Sequence, residues 1–85
     1  MENLKARTEI HDAWANLVLA DAHLAEGMCR EADAAIVDAE HHYEMARSAL
    51  TIERSGSILG RLADLKIKLD QARSATILAI AGKQI

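Results

Sequence analysis

Apolar residues recur along this chain at intervals of three and four, in three stretches. Each stretch places them on one face of an α-helix. In the first, Leu4, Ile10, Trp14, Leu17, Val18, Leu24 and Ala25 share a face. In the second, Ala32, Ala35, Ile36, Ala39, Tyr43, Ala46, Ala49 and Leu50 do so. In the third, Ile58, Leu62, Leu65, Leu69, Ala72, Thr76 and Ala79 follow the same rule. Two breaks separate the stretches. Gly27 stands where a helix C-terminus takes a left-handed residue. In Ser55-Gly56-Ser57 the glycine can end one helix and Ser57 can cap the next. The pattern predicts helices over about 3–26, 29–54 and 57–81. Helices of about 25 residues are roughly 36 Å long, and short connections make neighbours antiparallel. The expected fold is all-α: one antiparallel three-helix bundle of long helices spanning 1–85, which self-associates.

Some apolar residues fall outside these stripes. Val37, Met45 and Ile52 mark a second face of the middle segment, interleaved with Ala34, His41 and Ser48; Leu19, Ile67 and Leu78 lie off the stripes of the other two. A second apolar stripe on one helix implies either that it is sandwiched or that it meets another chain. Leu19, Val37, His41, Met45, Ile52, Ile67 and Leu78 are therefore the candidate residues for a partner or for a dimer of this chain.

Composition agrees with the helices. The 85 residues hold no Pro, no Phe, one Trp and one Tyr, which favours helix over strand. A lone cysteine, Cys29, cannot staple the domain internally and points to a reducing, cytoplasmic setting. It opens the second helix beside Arg30, so it is a reactive or copy-bridging thiol or a quiet small side chain. The N-terminus carries no signal-peptide pattern, and apolar runs such as Leu17–Ala20 are far short of the ~20 residues that span a membrane. The net charge of −3 argues against a phosphate-binding surface. The first two segments are acidic, whereas the third sets Arg61, Lys66, Lys68, Arg73 and Lys83 against Asp64 and Asp70. A basic helix beside two acidic ones can satisfy its charges internally.

The polar cluster richest in chemistry is Asp38, Glu40, His41, His42, Glu44 and Met45. Asp38 lies three or four residues before His41 and His42, so a carboxylate and an imidazole share a helix face and can reach one metal ion. If the first two helices fold back about Gly27, His11 comes near the level of Glu44. Asp38, His41, His42 and His11 are the candidate ligands. Asp21 follows Trp14 by one heptad on the apolar face, and a charge there requires either a partner, expected to be an arginine of the third helix, or a position on the rim. Nucleophile triads, paired cysteines, phosphate-binding loops and dinucleotide fingerprints are all missing from the sequence. So are basic patches interleaved with aromatics, which argues against nucleic acid as a partner.

Around the first break the residues Leu19, Ala20, Gly27, Ala32, Ile36 and Ala39 resemble a tetratricopeptide-type helical hairpin over residues 13–46. Asn16, His23 and Glu44 depart from that pattern, standing where the family favours Trp, Tyr and Pro. The resemblance implies a protein-binding scaffold or chaperone-like adaptor, and a lone repeat needs capping helices or a dimer to bury its faces.

These observations favour a non-enzymatic protein-interaction module with no cofactor: a small adaptor, chaperone-like partner or inhibitor. Its size and acidity are those of antitoxins and phage-encoded inhibitors of host defence. The alternative is a metal-binding helical bundle built on the histidine and carboxylate cluster of the second helix.

Overall fold

Gly27 makes the first turn in the left-handed conformation that its position predicts, with φ 77°. In the computed structural model, which describes residues 4–50 and 56–83, three helices follow in order: α1 (Leu4–Ala25), α2 (Cys29–Ala49) and α3 (Gly56–Lys83). The end of α1 is a paired C-cap. Met28 N–H donates to His23 O at 2.8 Å and Gly27 N–H to Leu24 O at 3.0 Å, which satisfies carbonyls that the helix itself leaves open. Only glycine holds the required φ without a Cβ penalty.

The second break differs from the pattern. α2 closes at Ala49, where Leu50 N–H bonds back to Arg47 O at 3.1 Å and the Leu50 side chain is buried. The chain thus leaves the helix through a tighter final turn while still anchored in the core. Gly56 belongs to α3, so Ser57 lies inside the first turn instead of flanking it. Predicted helix beyond residue 50, Ile52 included, lies outside the described residues.

The buried positions obey a stricter rule than the apolar stripes. On α1 they are Ala6, Ile10, Ala13, Leu17 and Ala20; on α2 Ala32, Ile36, Ala39, Ala46 and Leu50, joined by Cys29 and Ala35; on α3 Ile58, Leu62, Leu65, Leu69, Ala72 and Thr76. Within each helix the intervals alternate between four and three, with Tyr43 packed against the core at the one partly exposed position. A repeat of 3.5 residues is the coiled-coil period and dictates left-handed supercoiling. The stripes for α2 and α3 coincide with the core, with Tyr43, Ala49 and Ala79 partly buried at its edge. That for α1 is corrected: Ile10 and Leu17 are buried, but Leu4, Val18 and Ala25 are exposed, and Trp14 and Leu24 are partly buried. Alanines take the inward positions instead, because α2 approaches α1 more closely than α3 approaches either.

Cross-helix contacts fix the directions. His42 of α2 meets Glu9 of α1 at 2.5 Å, so α1 and α2 run antiparallel, and this register brings Ala6, Ala13 and Ala20 alongside Ala46, Ala39 and Ala32. Lys66 lies 6.0 Å from the centre of the Tyr43 ring, and Arg73, one heptad on, reaches back along α2 to Glu40 and Asp33. α3 is therefore antiparallel to α2 and completes the bundle. Its bulky Ile58, Leu62, Leu65 and Leu69 fill the space that the alanine seam leaves, and Thr76 stays satisfied inside by donating its hydroxyl to Ala72 O at 2.9 Å.

Gly60 sits exposed within α3, and a Cβ added there would meet nothing within 4 Å. Gly60→Ala is expected to stabilise the fold by about 1 kcal/mol through lost chain entropy. Thermal unfolding followed by circular dichroism should rise by roughly 4–8 °C for a domain of this size.

Candidate functional site

The one group of metal-ligating side chains that converges among the described residues lies across the α1–α2 seam. Glu9 and Asp12 stand one turn apart on α1, so their carboxylates share a face. His42 enters from α2, immediately before Tyr43, just as Glu9 immediately precedes Ile10. Ligand atoms of all three lie within 4.8 Å of one another. The side chains are half-buried, 15% exposed for Glu9 and 27% for His42, so water reaches the group from one side. Asn16, one turn beyond Asp12, donates its side-chain amide to Asp12 O at 3.0 Å. His41 stacks edge-on to His42, with ring centroids 5.8 Å apart.

Of the four residues that the sequence points to as ligands, His42 alone is brought to this group. Asp38, His41 and His11 are exposed and outside it. The apolar stripe of α1, centred toward Trp14 and Val18, does not point to Glu9 and Asp12. The signal that finds them is the 3.5-residue repeat, in which Glu9 and His42 occupy equivalent positions next to the seam.

Charge is paired as the sequence suggests, from a basic α3 to two acidic helices. Arg73 donates to Glu40 through two nitrogens, at 2.6 and 3.0 Å, and stands 3.8 Å from Asp33. Asp21 is exposed at the rim and pairs with Lys68 at 3.3 Å, a lysine in place of the expected arginine. Lys66 is hydrogen-bonded by Asp70, which holds its ammonium above the ordinary lysine range. Such surface pairs contribute little each, although the forked Arg73–Glu40 geometry gives it orientation. Cys29 is buried, which suits the quiet side chain better than a bridge between copies.

The candidate partner residues are placed on several faces. Leu19 is exposed on α1 and Val37 on α2, while Met45 is half-buried beside exposed His41. Val37 lies between the two carboxylates that hold Arg73. Ile67 and Leu78, eleven residues or about three turns apart, share the outer face of α3, and Leu78 is 72% exposed. Sequence reasoning passed over their neighbours Ile77 and Ile80, which are exposed as well. From Ser74 to Gly82 α3 carries no charged residue on any side. No described helix is long and apolar enough to cross a membrane. A search with the chain matched no protein-family model, no curated protein and no solved structure.

Proposed function

We propose that this chain is a non-enzymatic protein-interaction module of the adaptor or inhibitor type. It works in the cytoplasm and meets another protein, including a second copy of itself as a dimer, through exposed apolar helix surface. The observation that carries this reading is the last third of α3. Helices apolar on every side are normally covered, yet here Thr76 is buried and Ala79 half-buried against the bundle while Ala75, Ile77, Leu78, Ile80 and Ala81 face outward. Ile67 extends the same outer face toward the helix start, and Val37 and Leu19 add apolar area on the other two helices. Contiguous apolar surface of this kind marks association, and an isologous contact between two copies is the commonest way to cover it.

Light scattering coupled to size-exclusion chromatography is the test. Wild-type protein should elute with the mass of a dimer, and the double substitution Ile77→Glu with Leu78→Glu should give a monomer of unchanged helicity. Each glutamate places a charge that cannot be paired at the centre of the contact. Wild-type protein that stays monomeric across the accessible concentration range, with no protein partner, overturns the proposal.

A further inference from the structure

We infer that Glu9, Asp12 and His42 form a binding site for a divalent transition-metal ion of the zinc class, which ties α1 to α2. This inference stands independently of self-association. Three observations carry it together. The ligand atoms come from two helices and converge within 4.8 Å. In a tetrahedral shell with bonds of about 2.0–2.1 Å, ligand atoms sit roughly 3.4 Å apart, so small rotations draw Asp12 inward and open the 2.5 Å Glu9–His42 contact. The group is half-buried, leaving one side through which an ion enters and where water can complete the shell.

The charge balance points the same way. Glu9 and Asp12 present two carboxylates to one imidazole, and among the described residues neither is paired with a lysine or arginine. Two like charges held this close in a partly desolvated seam repel. A dication removes that repulsion and uses both carboxylates at once, whereas the Glu9–His42 pair leaves Asp12 uncompensated. The imidazole nitrogen sets the class of ion. Magnesium and calcium prefer shells of oxygen alone, whereas one nitrogen with carboxylate oxygens suits zinc and its first-row neighbours. His42 Nδ1, the atom that faces Glu9, is the nitrogen assigned to the ion.

The experiment is calorimetric titration of the full chain, purified without an affinity tag, with zinc chloride and separately with magnesium chloride. Thermal unfolding is measured in parallel. Zinc should bind at one ion per chain and, at a hundredfold excess over its dissociation constant, raise the melting temperature by on the order of 10 °C. Magnesium should do neither. His42→Ala should abolish zinc binding. Asp12→Asn, which leaves the Glu9–His42 contact in place, should weaken it at least tenfold without lowering the melting temperature of the metal-free protein. His41→Ala and Asp38→Asn should bind as the wild type does. No zinc binding, binding that survives both His42→Ala and Asp12→Asn, or binding lost instead with His41→Ala or Cys29→Ser would each overturn the assignment.

Discussion

Ala39→Leu is expected to destabilise the protein by about 3 kcal/mol, at the upper end of what overpacking costs. Ala39 is fully buried and comes alongside Ala13 in the seam where α1 and α2 approach most closely. Helix axes separated toward the short end of the roughly 8–10 Å range leave room for a methyl group and nothing larger. A leucine adds three heavy atoms that neither helix can accommodate in a relaxed rotamer, so the helices must part or the side chain must twist. In a domain of this length the total stability is on the order of 4–13 kcal/mol, which makes the loss a large share. Urea unfolding monitored by helicity should show the midpoint falling with the slope unchanged. His42 lies one turn from Ala39, so the same substitution should also pull it away from Glu9 and Asp12. Zinc affinity should then drop together with stability, whereas Gly60→Ala, on the exposed side of α3 near its start, should leave it unchanged.

That seam also explains where the sequence is easy to read and where it misleads. On α2 and α3 the regularly spaced apolar residues coincide with the buried ones, so the stripes of Ala32 to Leu50 and Ile58 to Thr76 locate the core. On α1 bulk and burial diverge. Trp14, Val18 and Leu4 are larger than Ala6, Ala13 and Ala20, yet close helix approach selects the alanines. Hydrophobicity alone ranks an alanine too low to be seen as the centre of a contact; the strict repeat Ala6-Ile10-Ala13-Leu17-Ala20 reveals it. The error propagates to the candidate metal group. Turning α1 by part of a turn brings His11 toward α2 in place of Glu9 and Asp12, which pairs the histidines of α2 with the wrong residue of α1. Gly27, by contrast, was legible because its requirement is local: a left-handed residue after a helix needs no knowledge of the partner helix. The outward-facing residues Val37, Ile67 and Leu78 were legible as a surplus over one stripe. What covers them depends on a second molecule, whose shape is not encoded in this chain.

Leu65→Ala is the complementary substitution, and it is expected to cost 2–5 kcal/mol, the range for emptying a fully buried leucine site. Leu65 is completely buried and sits midway along the bulky half of α3, between Leu62 and Leu69. Its neighbours across the bundle include a seam built of alanines, which have no longer side chain to swing into the vacated space. The cavity should therefore persist instead of collapsing, which places the loss toward the upper half of that range. A drop in melting temperature of on the order of 10–30 °C follows for a domain of this size. The comparison that isolates the mechanism is Ala72→Gly, two turns further along the same buried stripe. It removes a single methyl group and costs mainly the backbone entropy of a glycine in a helix, about 1 kcal/mol. If Leu65→Ala costs no more than Ala72→Gly, α3 is not packed against α1 and α2 as described, and the bulk on its inner face serves another contact. If the gap is large, the division of labour holds: α1 and α2 are joined by smallness, and α3 is held by the volume that smallness leaves to be filled.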